Sequence, residues 1–195
     1  MKQIIFILTI LLLTLSCKAQ SPIVSLDAPY ETPSGAYYKD LDNELNKFEG
    51  NWLYTNGSTS LTIVLQKIEQ LEIGSDFRDY LIGDYRYVEN NQEIINTLPI
   101  SNNNENKLGG SYITSTDERP ICNDCSENER RISLYISDPE RDYLNFTITL
   151  RYIIGETNPE KMTITIFKEH GGIIPNENSP VSLRVPAGEY LMEKQ

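Results

Sequence analysis

From Gly50 onward, apolar and polar residues alternate with a period of two. In "NFTITLRY", Phe146, Ile148, Leu150 and Tyr152 fall on one side and Thr147, Thr149 and Arg151 on the other. In "MTITIF", Ile164 and Ile166 alternate with threonines. In "SLTIVLQ", Leu61, Ile63 and Leu65 alternate with Thr62, Val64 and Gln66. Such alternation predicts strands with one buried and one solvated face, as in antiparallel sheets. Asn56-Gly57 and Asn90-Asn91 read as hairpin turns within it. "GSYITS", "RRISLYIS" and "GEYLMEKQ" add strands, separated by the polar loops "SNNNENKLGG", "TDERPICNDCSENE" and "HGGIIPNENSP". About nine strands result, nearly all joined as hairpins. Strands do not alternate with helices, so a parallel sheet is not expected. The pattern predicts a mostly β domain, an antiparallel up-and-down barrel or strongly curled meander. Closing a barrel removes exposed strand edges.

The first fifty residues follow other rules. Ile4 to Leu15 is apolar apart from Thr9 and Thr14. This run is shorter than the ~20 residues that cross a bilayer, and Lys2 precedes it, as in a signal peptide. Ser21 to Lys39 is rich in proline and turn residues and reads as a tether. In "DLDNELNKF", Leu41, Leu45 and Phe48 share one helical face, Asp40 can cap and Gly50 can stop. One short helix is therefore expected before the strands.

The apolar run ends on Cys17, and two processing routes follow. Cleavage after Ala19 would release a soluble secreted protein. Alternatively, Thr14-Leu15-Ser16-Cys17 resembles a bacterial lipoprotein signal, with the expected small residue at Ser16 and a departure at Thr14, where leucine is usual. That resemblance implies residues 1–16 removed, Cys17 lipidated, 17–39 a tether and 40–195 a single domain. It places the protein in the cell envelope, at the periplasmic side of the outer membrane. Acyl chains would then anchor it, at about 0.8 kcal/mol per buried methylene.

Charge narrows the partners. The chain carries 28 acidic and 17 basic residues. A nucleic-acid binder should show a basic patch or stripe, and none is visible. Attraction to anionic lipid headgroups is disfavoured for the same reason. With Cys17 set aside, Cys122 and Cys125 remain, an even count that suggests a disulfide in an exported chain. Two free thiols, or a redox or metal role, are the alternatives. No second C-x-x-C or histidine pair completes a zinc site, so no metal or cofactor is expected.

"NKFEGNWLY" resembles the opening motif of lipocalin-like (calycin) barrels, a short helix followed by Gly-x-Trp, here Gly50-Asn51-Trp52. The resemblance implies that Trp52 closes one barrel end, with Lys194 or Arg184 stacked over it. The second signature of that family has no counterpart here, and Trp52 as an ordinary core anchor is the competing reading. The whole chain resembles a family of small Bacteroidetes lipoproteins with a domain of unknown function. "SCKAQ", "GAYYKDLDNELNKFEGNW", "SLTIVLQK" and "VPAGEYLMEKQ" carry that likeness, which implies an envelope location and no activity.

Catalytic signals are sparse. His170, the only histidine, sits in a turn with no nucleophile-elbow pattern beside it. The acidic clusters at Asp40-Asp42-Glu44 and Asp138-Glu140-Asp142 lack a calcium-loop frame. Tyr80, Tyr85, Tyr87, Tyr135 and Tyr152 could line a cavity, or simply suit half-buried strands. The expectation is an envelope-anchored, non-enzymatic barrel that binds a small apolar ligand or simply presents a surface. Its alternatives are a structural or interaction lipoprotein with a filled core, or a hydrolase using paired carboxylates.

Overall fold

The computed structural model describes residues 21–29, 32–100, 105–172 and 174–195. Among the described residues, eleven strands run in one sheet. They are β1 (Ile23–Ser25), β2 (Tyr37–Lys39), β3 (Gly50–Asn56), β4 (Thr59–Ile73), β5 (Asp76–Glu89), β6 (Gln92–Asn96), β7 (Leu108–Thr114), β8 (Arg131–Ile136), β9 (Phe146–Thr157), β10 (Glu160–Lys168) and β11 (Gly188–Lys194). Eight of them close an antiparallel barrel in the order β3-β4-β5-β7-β8-β9-β10-β11, with β11 returning to β3.

The barrel consists of two broad sheets joined at two narrow seams. β11 meets β3 only through Glu193 opposite Leu53 and Lys194 opposite Trp52. β5 meets β7 over Leu81, Ile82 and Gly83. Gly83 is required there, because a Cβ would lie 2.5 Å from the Val64 carbonyl oxygen. The same edge of β5 also pairs with β2 at Phe77 and Arg78, and with β6 at Arg86 to Glu89. One long strand thus carries three partners along one side.

The periodicity of the strands holds, with corrections elsewhere. The helix expected over Asp40–Phe48 does not form; only a single 3-10 turn, Asn46–Phe48, is present. Asn43 adopts a left-handed φ of 56°, which interrupts helical backbone. Leu41 is left exposed while Leu45 and Phe48 are buried. Asp40 fixes the loop before this turn instead of capping a helix, accepting the Glu44 and Leu45 N–H groups at 2.7 and 3.0 Å.

Part of the segment expected as tether belongs to the sheet, because β1 and β2 pair in parallel with each other and β2 pairs in parallel with β5. These two strands account for the difference from the nine expected, and they are the parallel pairings that were not expected. Ala36, Tyr37 and Tyr38 are buried, which the Pro- and Gly-rich composition around them hid. The first hairpin turns on Gly57 and Ser58, one position later than expected, with Asn56 paired to Thr59. The second turns on Asn90 and Asn91, both at positive φ, as a type I′ hairpin requires.

The barrel interior is filled. Trp52, Leu61, Ile63, Leu65, Leu81, Tyr85, Leu108, Ile132, Leu134, Ile148, Leu150, Met162, Ile164, Ile166 and Met192 are each 0–3% exposed. So little exposure leaves no ligand-sized cavity against these side chains. At one end Trp52 donates its indole N–H to the Phe48 carbonyl at 2.8 Å. The Lys194 ammonium lies 5.4 Å over the Trp52 ring and pairs with Glu160 at 2.9 Å. Phe48 meets Tyr152 edge-to-face at 6.3 Å. At the other end Leu183 and Val185 enter the core, and Tyr54 meets Tyr190 edge-on at 5.0 Å.

Candidate functional site

Buried carboxylates are the first place to look for chemistry. Asp40, Asp79, Asp84 and Asp138 are all buried. Each accepts backbone N–H groups that fix a loop, and Asp40 is tied to the barrel by the Lys67 ammonium at 3.0 Å. Asp79 accepts the Asp40 and Gln70 N–H groups, at 2.9 and 3.1 Å, and the Tyr37 hydroxyl at 2.5 Å. Asp84 accepts the Lys107 N–H and the Asn106 side-chain amide, each at 3.1 Å. Asp138 accepts the Arg184 and Glu140 N–H groups, each at 3.1 Å, and binds the Arg184 guanidinium at 2.6 Å. Burial pushes the Asp138 carboxyl up, but Arg184 and these N–H groups outweigh it and hold the carboxyl below its ordinary range. No pair of these carboxylates is left facing an open cleft by these bonds.

The open space lies on the outside. β8, β9 and β10 point Ile132, Leu134, Ile148, Leu150, Ile164 and Ile166 inward. Their alternate residues therefore form rows on the outer wall. Ser133 stands opposite Thr149, and Thr149 opposite Thr165. Arg151 stands opposite Thr163 in the neighbouring row. Hydroxyls link across the strands, Thr114 to Ser133 at 2.6 Å and Ser133 to Thr149 at 2.9 Å.

The β7–β8 loop folds back over this wall. Two arginines hold it down. Arg131, 3% exposed, donates to the carbonyls of Pro120, Ser115 and Glu118 at 2.6, 2.5 and 3.3 Å. Burial lowers its pKa. Arg151 donates to Glu129 at 2.5 Å and to the Asp124 carboxylate at 2.8 Å. Those two bonds, Glu129 first, raise the pKa of Arg151. Burial works to raise the Glu129 pKa, but the Arg151 bond and the Ser126 N–H keep it lowered. Cys122 and Cys125 form a disulfide inside this loop, with Cα atoms 5.5 Å apart. Asp124 lies between them, so the bridge fixes the residue that engages Arg151.

Among the hollows beside this loop, two lie over the outer face of β8 to β10. The first, about 230 Å³, is bordered by Pro120, Ile121 and Cys122 and floored by Thr149, Thr163 and Thr165. Arg131, Arg151, Asp124 and Glu189 also line it. The second, about 300 Å³, is bordered by Glu118, Arg119 and Glu169 and floored by Tyr112, Tyr135 and Phe167. The Arg119 guanidinium lies 5.2 Å over the Phe167 ring. Tyr135 lies across Gly109, where a Cβ would come within 2.6 Å of the ring. Tyr112 and Tyr135 keep 47% and 45% of their surface exposed.

The residues singled out by sequence scatter around this site. Cys122 borders it and is bridged to Cys125. Gly50 and Trp52 sit at the closed barrel end, far along the chain from the outer wall. Cys17 lies outside the described residues. His170 is exposed in a turn, and its carbonyl accepts the Asn145 side chain at 3.4 Å. Among the described residues the cluster suited by element type to a metal is Cys122, Asp124 and Cys125. Its two sulfurs are bonded to each other and so are not thiolate ligands. The outer-wall groove itself was missed. Its polar residues are visible as the non-core half of each strand, but their company depends on register and on the loop laid over them.

The molecule is thus a small closed β-barrel with a filled interior and a polar groove on its outer wall. By sequence it belongs to DUF6705, a family of unknown function that matches residues 1–195. No curated protein and no solved structure matches the chain.

Proposed function

We propose that this protein is a non-enzymatic recognition domain, exported and held in the cell envelope by lipid on Cys17, that works through its outer surface. The filled barrel carries this reading. A lipocalin-like carrier of apolar molecules needs an internal cavity of roughly 300 Å³ or more. Here Trp52, Tyr85 and the aliphatic side chains occupy that volume. The interaction-lipoprotein alternative is therefore preferred to the apolar-ligand reading. The bridge between Cys122 and Cys125 suits an oxidising compartment. The buried carboxylates serve as loop clamps, which disfavours the hydrolase alternative.

Anchoring would also orient the domain. The six residue-to-residue steps from Cys17 to Ile23 span at most about 20 Å when fully extended. β1 is held in the sheet, so a lipid on Cys17 would keep the barrel end that carries β1 close to the leaflet.

The test is fractionation and native mass spectrometry of the full chain expressed in its envelope. The expected result is a membrane-bound protein carrying acyl chains, moved to the soluble fraction by Cys17→Ala, with no apolar passenger. Unchanged partitioning of Cys17→Ala would remove the anchor, and a co-purified apolar molecule would restore the carrier.

A further inference from the structure

The outer-wall groove has a chemistry narrow enough to name a ligand class. Its first hollow has no surplus positive charge: Arg151 is paired with Asp124 and Glu129, and Glu189 lines the same hollow as Arg131. Carboxylates there outnumber the two guanidinium groups, so a phosphate or carboxylate gains no net attraction. What the hollow offers is a mixture of donors and acceptors. Thr163 and Thr165 supply hydroxyls that can do either, and Glu189 accepts. Arg131 also lines this hollow and keeps a buried Nε that has no hydrogen-bond partner in the fold. Native structures rarely leave such a donor unused. The second hollow, on the other side of the Glu118–Cys122 segment, offers half-exposed aromatic rings. Tyr135 is held flat by Gly109, and Tyr112 is fixed by donating its hydroxyl to Glu118 at 3.0 Å.

Rings beside uncharged hydroxyl groups match a molecule that has C–H faces and many hydroxyls but no net charge. We propose that this face binds a neutral oligosaccharide, one ring against Tyr112 and Tyr135 and a further unit, reached past the Glu118–Cys122 segment, hydrogen-bonded to Thr163, Thr165 and Glu189. Aromatic side chains give stacking area with a polar tip. The hydroxyls of the sugar replace the water that otherwise fills hollows of about 230 and 300 Å³. The loop that closes over the site is fixed by the Cys122–Cys125 bridge through Asp124 and Arg151, so an intact bridge is part of the binding-competent form. The inference rests on the surface-recognition reading above.

The experiment uses the full folded chain on a printed array of neutral glycans, with acidic and phosphorylated glycans as controls. Saturation-transfer NMR with the best neutral binder follows. Binding of a neutral glycan is expected, weakened at least tenfold by Tyr135→Ala and by Thr165→Val. Ile154→Ser, at an exposed hairpin position away from the groove, is expected to leave it unchanged. Thr165→Val alters a wall hydroxyl without touching the core, so it tests the site even if Tyr135→Ala unfolds. Reduction of the bridge is expected to weaken binding as well. Absence of any neutral binder, a preference for the charged controls, or indifference to Thr165→Val would overturn the proposal. Binding followed by hydrolysis would keep the ligand class and overturn the non-enzymatic reading. Membrane anchoring without any glycan binding would overturn this proposal alone.

Discussion

β8, β9 and β10 present two unlike surfaces from the same residues' alternation. Their inner side is a continuous apolar surface with Ile148, Leu150 and Ile164 fully buried. Their outer side is a ladder of threonine, serine and arginine roofed by a loop. The inner side is held by close packing that excludes water. The outer side is held by directed bonds from two arginines to a loop that has little apolar surface of its own. Stability should therefore reside inside and recognition outside, and substitutions can separate the two.

The largest effect is expected at Trp52. Trp52→Ala should lose about 3–5 kcal/mol of unfolding free energy, read by urea denaturation. A loss below about 1 kcal/mol would mean that the ring is not a core anchor. Next is the buried pair at the far barrel end. Arg184→Met leaves Asp138, 0% exposed, without its counter-charge, and should cost on the order of 3 kcal/mol. If Arg184→Met is neutral, the pair contributes nothing and the loop it holds is fixed by packing alone.

The disulfide belongs to the outer region and closes only a short loop. Its removal by Cys122→Ser with Cys125→Ser should cost roughly 2 kcal/mol on the loop-entropy account. The effect should concentrate in hydrogen exchange of residues 115–130, with the barrel strands unchanged. Collapse of the whole barrel on reduction would erase the distinction drawn between inside and outside. The smallest effect is expected at Thr165→Val, within about 0.5 kcal/mol for a surface substitution.

Acid tests both regions at once. Asp138 and Glu129 have lowered pKa values in the fold. Their contribution is present above the unfolded carboxylate pKa of about 4 and is lost as pH falls through the lower folded values. Urea midpoints should fall below about pH 4, less steeply in Asp138→Asn. In the alkaline direction, burial raises Tyr190 to about 12. Stability from this group is present below about pH 10 and lost as pH rises towards the folded value.

Much of the barrel was legible because a strand's buried face repeats every second residue, whatever its partners. Phe146 to Tyr152 and Leu61 to Leu65 announced their inward faces in this way, and Asn90-Asn91 announced its turn. Asp40 to Phe48 misled because Leu41, Leu45 and Phe48 have helical spacing, while the left-handed Asn43 is set by the loop clamp at Asp40. Tyr37 and Tyr38 gave no signal, since a three-residue strand is too short to show a period. The threonine rows were visible as polar positions, but nothing local says which three strands lie side by side.

The amino-acid sequence by itself determined the strands, their inner faces and the polar loop around Cys122 and Cys125. These follow from periodicity, turn chemistry and composition, which act over a few residues. The tertiary structure alone decided that the barrel closes through two narrow seams, that its interior is full, and that Arg131 and Arg151 draw a loop over the outer wall. Those outcomes join residues far apart in the chain, where register and close packing set what touches what.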